Sequence, residues 1–213
     1  MIKFSAFFIL TLLIGCTSHS ADQNDSDEVP QSASGINPLL IGDQIPDVVM
    51  TDKNGEDQSL RELVSRQPTL IVFYRGGWCP FCSSYLGEVA AMEDEIYEQG
   101  YQILAISPDQ PKYLRESVQE VDIDYTLLSD SSMEVARAFG LAFRVDDETV
   151  QELKDGGMDI VENSGYDHRQ LPVPAAFITD TSGKIQFQYV NPDYRERISG
   201  DILMAALREY RGQ

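Results

Sequence analysis

Residues 38–213 predict an α/β fold, a mixed sheet covered by helices on both faces. Three observations carry this. Short β-branched, apolar runs read as buried strands, and stretches with apolar residues at helical spacing alternate with them. The alternation ends in a hairpin and one last amphipathic helix. The chain of 213 residues shows no internal repeat and no second domain.

The elements follow in order. "LLIGDQIPDVVMTDKNGEDQSLREL" predicts short strands around the turn Asp52–Gly55, then a brief helix near Leu60–Val64. "TLIVFY" (69–74) is a continuous apolar run suited to a central strand. From Cys79 to about Glu98, Phe81, Tyr85, Val89, Met92 and Ile96 recur at helical spacing, and Gly100 follows as a stop. "YQILAIS" (101–107) and "YTLLSD" (125–130) predict strands; "QPKYLRESVQEV" and "SMEVARAFG" predict helices. The stretch 141–171 interrupts this alternation. Within it "DDETVQELKDGG" suggests a helix and the remainder a long loop, a kind of segment that usually serves function or moves. "AAFITDTSGKIQFQYV" is a hairpin turning at Asp180–Gly183, and "SGDILMAALREYR" is the closing helix.

The first residues, "MIKFSAFFILTLLIGC", place one lysine before an apolar run too short for a spanning helix. The run ends in small residues and a cysteine, which resembles the lipobox of bacterial lipoproteins. That resemblance implies a signal peptide over 1–15, cleavage before Cys16 and acylation of Cys16. Thr17 is not the Asp that would suggest inner-membrane retention. The expected location is therefore the cell envelope, at the outer membrane facing the periplasm if the source is Gram-negative. Residues 16–37 are rich in Ser, Asp and Gln and poor in apolar side chains, which predicts a disordered tether.

A net charge of −19 excludes a nucleic-acid binder, which needs a basic face, and leaves the lipid as the only membrane link. It says nothing about chemistry. The cysteines say more. With Cys16 given to lipid, two of the three remain, Cys79 and Cys82, in one C-x-x-C. A disulfide scaffold needs more cysteines, and so short a bridge would constrain little of the unfolded chain. A structural zinc site needs four ligands, and the chain has two histidines, one of them (His19) in the tether. A redox pair remains. Cys79 lies at a strand-to-helix turn, where unpaired N–H groups and the helix dipole stabilise a thiolate, and Pro80 suits a first helical turn.

"FYRGGWCPFCSSYL", "AISPDQPKYL", "YTLLSDSSMEVARAFGL" and "VPAAFITDTSGKIQFQYVNPDYRERI", in this order, resemble the alkyl hydroperoxide reductase/thiol-specific antioxidant family, and most of all its peroxiredoxin-like members with C-x-x-C. The match runs from Pro38 to Arg208. It implies a thioredoxin-like fold with peroxiredoxin-type N-terminal strands and an insertion before a strand that opens on a cis-proline, Pro174. It also implies a thiol peroxidase without metal or cofactor, recycled by a thioredoxin-like dithiol protein. Departures accompany the matches. With Cys82 on the peroxidatic position of the family's P-x-x-x-[T/S]-x-x-C signature, the proline falls on Arg75 and the Thr/Ser on Cys79. The family's strand arginine falls on Pro174, where thioredoxins carry a cis-proline facing the disulfide. A protein disulfide is thus the alternative substrate to a hydroperoxide.

Flanking residues have two readings each. Arg75 either stabilises negative charge at the pair or is a surface cation; Trp78 is either a substrate-facing wall or ordinary packing. Gly76-Gly77 read better as a tight turn than as an anion loop. Asp155–Asp159 has too few carboxylates for a calcium loop. A Cu(I) carrier using both thiolates and His168 is a further alternative. Between the sulfurs, the helix-start position favours Cys79 as nucleophile, with Cys82 more buried and its pKa raised.

Overall fold

The computed structural model describes residue 1, residues 29–121 and residues 123–211, apart from the side chains of 118–121. The leader, Cys16 and the tether as far as residue 28 lie outside the described residues, Met1 excepted. Among the described residues no helix is long and apolar enough to cross a membrane.

After a short 3-10 turn at Ala33–Gly35, the strands β1 (Val49–Asp52) and β2 (Asp57–Ser59) form a hairpin. Helix α1 (Leu60–Arg66) follows, started by Ser59, whose hydroxyl accepts the Glu62 N–H. The centre is built from β3 (Thr69–Phe73), α2 (Pro80–Ala91), α3 (Glu93–Glu98), β4 (Gln102–Ser107), α4 (Pro111–Val121), β5 (Thr126–Ser129) and α5 (Glu134–Ala138). Next come β6 (Ala142–Arg144), α6 (Asp147–Asp155), α7 (Ile160–Ser164) and β7 (Gln170–Pro172). The hairpin β8 (Ala175–Thr179) and β9 (Ile185–Val190) and the helix α8 (Gly200–Glu209) close the chain.

Seven strands pair in the order β2-β1-β5-β4-β3-β8-β9, while β6 and β7 form a separate antiparallel ribbon. The pairs β3–β4 and β4–β5 are parallel; β8, β9, β1 and β2 join antiparallel at the two sides. Strand β3 is central and buried along its whole length. Its alternate residues serve two cores, as the period of a strand dictates. Leu70 and Val72 pack with α2, α4 and α8, whereas Ile71 and Phe73 pack with α1 and α5. On the second face Phe73, Phe139 and Phe177 form a triangle of rings with centroids 4.9, 5.2 and 6.1 Å apart.

Four expectations change. The stretch 79–98 is two helices, because Met92 leaves helical geometry (φ −104°, ψ 2°) and Glu93–Glu95 supply acidic residues to a new helix start. Val89 and Ile96 stay buried across the break, so the apolar spacing runs on through it. The stretch 141–171 is mostly structured. Asp146 accepts the Thr149 N–H at 2.9 Å to start α6, and Asp159 accepts from Val161 and Glu162 to start α7. Its other elements are only three to five residues long, too short for periodicity to show. Residues 29–37, given to the tether on composition, lie against the domain. The Pro30 carbonyl accepts from Arg144 N–H at 2.7 Å, and Val29 and Ile36 pack on the second core.

The fourth change concerns Pro174. Every peptide bond among the described residues is trans, so Val173–Pro174 is not the expected cis-proline. Trans is the favoured state of an X–Pro bond by ~0.5–1 kcal/mol. Here the preceding backbone is pinned in extended form: Pro172 pairs with Ala142, and Val173 N–H donates to Leu141 O at 2.9 Å. The insertion does precede this strand.

The aromatic triangle gives a stability prediction. Phe139→Ala should cost about 3–5 kcal/mol in a denaturant melt, since the buried ring leaves a cavity between two strands and a helix. A loss below about 1 kcal/mol would show that the second core is not packed as described.

Candidate active site

Strand β3 delivers the chain to a turn with no spare volume. Gly76 has φ +145°, and a Cβ there would fall 2.2 Å from Trp78 Nε1. A Cβ on Gly77 would fall 2.0 Å from Ser117 Oγ. The turn is held from outside by Asp109, whose Oδ2 accepts the Gly77 N–H at 2.7 Å. Cys79 N–H donates back to Gly76 O at 3.2 Å, which closes the turn and leaves Cys79 as the N-cap of α2. The Cys79 carbonyl then accepts from Cys82 at 2.9 Å and Ser83 at 3.0 Å, so the second cysteine lies one turn further along the same face.

Both cysteines are free thiols, and both are buried, at 2% and 0% exposure. The neighbouring Cys82 thiol is the largest reason the Cys79 thiol ionises below its ordinary range, and it overcomes burial, which acts the other way. The charges of Arg75 and Arg197 add to it. Cys82 is shifted up, by the neighbouring Cys79 and then by burial. One negative charge is therefore shared by the pair, resting on Cys79.

Two residues from the connection between β9 and α8 complete the corner. Arg197 Nη2 lies 3.4 Å from Cys82 Sγ, and its Nη1 donates to the Tyr194 and Glu196 carbonyls at 2.6 and 2.9 Å. Tyr194 covers the Arg75 guanidinium at 4.2 Å from its ring centroid and meets Phe81 edge-on at 5.7 Å. Arg75 also lies 5.2 Å from the Trp78 ring centroid.

Of the residues singled out in the sequence, Cys79, Cys82, Arg75 and Trp78 come together. Arg75 is buried, not a surface cation. Pro174 stands in the wall of a cavity beside Arg75, in trans form. His168 is not brought to the pair. Its Nδ1 accepts the Gln170 N–H at 2.9 Å and its Nε2 donates to Ser131 O at 3.0 Å, so neither nitrogen is left for a metal. Among the described residues no cluster of three metal-ligating side chains occurs. Arg197, Tyr194 and Asp109 escaped the sequence reading. The only signal for the first two was a pair of arginines in an irregular segment of an acidic chain.

A family model for "AhpC/TSA family" matches residues 41–188. The chain belongs to the AhpC/TSA family. Peroxiredoxin Bcp of Escherichia coli (strain K12) is 27% identical over 177 residues, covering 82% of this chain and 99% of that protein. The thiol-disulfide oxidoreductase ResA of Halalkalibacterium halodurans is 26% identical over 101 residues, 47% of this chain and 56% of its own. Among solved structures, peroxidoxin BcpB from Mycobacterium tuberculosis superposes with a TM-score of 0.63 at 22% identity, covering 82% of this chain and 99% of that one. The fold is the mixed α/β, thioredoxin-like fold of peroxiredoxins, and family membership makes the protein a thiol-dependent oxidoreductase.

The clamp on the turn has a pH signature. Burial pushes the Asp109 carboxyl up to about 7, against the Gly77 N–H that favours its ionised form. Between about pH 4 and 7 the folded state thus holds a proton that the unfolded chain has lost. Stability should fall as pH rises through that window and level off above it. Asp109→Asn keeps an acceptor for Gly77, and its denaturant midpoint should be less dependent on pH from 4 to 7. An unchanged slope would remove Asp109 as a source, leaving Asp130, also raised to about 7 by burial, as the other candidate.

Proposed function

We propose that the protein is a thiol peroxidase that reduces hydroperoxides through Cys79 and Cys82 and is recycled by an external thioredoxin-like dithiol. The observation that carries this is a buried thiol pair at a helix start with an arginine on it, in an AhpC/TSA chain. The Cys79 thiolate attacks the outer oxygen of the peroxide. An S–O bond forms, the O–O bond breaks, and the departing alkoxide or hydroxide takes a proton. The Cys82 sulfur then displaces water from the resulting sulfenic acid, giving a Cys79–Cys82 disulfide. A dithiol protein restores the two thiols by exchange and leaves with the disulfide.

Burial at 2% and 0% favours a small hydroperoxide over a protein disulfide, which needs a protruding sulfur. The reducing protein meets the same obstacle after oxidation. It must reach two sulfurs that are both buried. A second assignment within this chemistry has Cys82 attack and Cys79 resolve. It is favoured by the 3.4 Å contact of Arg197, which would stabilise negative charge on Cys82.

The soluble domain should consume hydroperoxide with dithiothreitol or thioredoxin as reductant, and outpace its own reduction of insulin. Faster insulin reduction would make it a protein disulfide reductase. In single serine variants, Cys82→Ser should keep the fast-alkylating thiol and form sulfenic acid. If Cys79→Ser does so in its place, Cys82 is the nucleophile.

We further propose that the mature protein starts at Cys16 and is held by lipid at the cell envelope, at the outer membrane facing the periplasm if the source is Gram-negative. The apolar run ending in "LIGC" supports it. Radiolabelled palmitate should enter the protein and be lost in Cys16→Ala; label that persists in the variant refutes lipidation there.

A further inference from the structure

A cavity of about 290 Å³ adjoins Arg75, walled by Phe143, Val145, Pro172, Pro174 and Tyr194, with Arg144 as a second cation. Hydrogen peroxide needs little more than the ~30 Å³ share of one water, so the space suits a much larger guest. Neither sulfur lines it. Arg75 is common to both places: its charge acts on Cys79 and its side chain lines the cavity.

Arg75 is only 8% exposed, and its Nε is buried without a hydrogen-bond partner among the described residues. None of the ion pairs among those residues includes it. This happens in a chain with 35 acidic against 16 basic residues, where a partner is easily come by. A buried guanidinium whose N–H groups lack acceptors is costly, so a ligand that brings an acceptor is bound with gain. The rings of Tyr194 and Trp78 pack near the guanidinium. Those rings offer the guanidinium no hydrogen-bond acceptor, and a carboxylate matches its N–H edge with two parallel hydrogen bonds. The one acidic residue in the cavity wall, Asp146, has both oxygens taken by Thr149, at 2.9 and 2.7 Å. Arg144 is only loosely engaged, 3.5 Å from the His168 carbonyl and 4.0 Å from Asp147.

We propose that this cavity is a subsite for the carboxylate of an organic hydroperoxide, which sets its charge on Arg75 and its apolar body against the prolines and Phe143. The proposal rests on the peroxidase reading above. The same thiolate attack then cleaves the O–O bond, and the substrate leaves as the hydroxy acid.

Binding can be tested without turnover. Trp78 is the chain's only tryptophan and adjoins Arg75, so its fluorescence reports occupancy. The full chain titrated with hexanoate should saturate at least ~10-fold more tightly than with the neutral hexanamide. Arg75→Gln should abolish that preference. Thr149→Phe, which adds a ring to the wall of the same cavity, should block hexanoate with Arg75 intact, so a misfolded Arg75 variant does not decide the matter. Equal binding of the two probes, or a preference that survives both variants, overturns the subsite. With substrates, 6-hydroperoxyhexanoate should show a KM at least ~10-fold below its methyl ester. Equal KM values overturn the substrate role. No turnover of either overturns the peroxidase reading, while the hexanoate titration still judges the subsite alone.

Discussion

Everything at the site depends on the absence of room in one turn. Between Tyr74 and Cys79 the chain passes under Trp78, Asp109 and Ser117 so closely that neither Gly76 nor Gly77 has space for a methyl group. That tightness lets a central strand end and α2 begin within a few residues. Cys79 thereby stands at the helix N-cap, where its charge is favoured. Gly76 also needs its positive φ, which a side chain would disfavour even if space were found. The buried Asp109 carboxylate is the outer half of the constraint. It satisfies the Gly77 N–H, which would otherwise be an unpaired donor in a buried turn.

Much of this was legible because the signals are local. The apolar run 69–73 is buried on both faces, so it reads as a central strand; Pro80 and the spacing of Tyr85 and Val89 announce α2 and its inner face. Cysteine arithmetic then isolates the pair. What could not be read shares one property, distance along the chain. Arg197 meets Cys82 from 115 residues away, and Tyr194 reaches Arg75 from the same irregular segment. No periodicity marks a residue whose value lies only in where a connection happens to fold. The short elements of 141–171 failed for a different reason, being under two helical turns or three strand residues apiece, α6 excepted.

Electrostatics at the corner oppose those of the molecule. The chain carries −19 in all, yet among the described residues the charges that lower the Cys79 thiol are arginines, both with a buried Nε lacking a partner there. Aromatic neighbours hold them in place of carboxylates: Tyr194 and Trp78 for Arg75, Tyr85 for Arg197 at 5.7 Å. A carboxylate of the protein fixed on Arg197, the cation in contact with Cys82, would have cancelled the positive potential that a thiolate and a polarised peroxide both need. Rings keep the cations fixed and leave that potential intact.

This bears on the apparent loss of the family's strand arginine. Alignment of motifs puts Pro174 there, and taken alone that substitution argues for disulfide chemistry, with the proline facing the pair in cis. In the folded protein the proline is trans and lines the Arg75 cavity, and a guanidinium still reaches the thiol pair, from the segment before α8. The positive charge at the sulfurs is retained although its strand position is not. With the arginine accounted for, the signature proline replaced by Arg75 and the Thr replaced by Cys79 are the departures left to weigh against peroxide. A thiol that ionises below its ordinary range beside Cys82 fills the place of the Thr with a second reactive group. The C-x-x-C is thus compatible with peroxide reduction in which attack and resolution occur within a single helical turn.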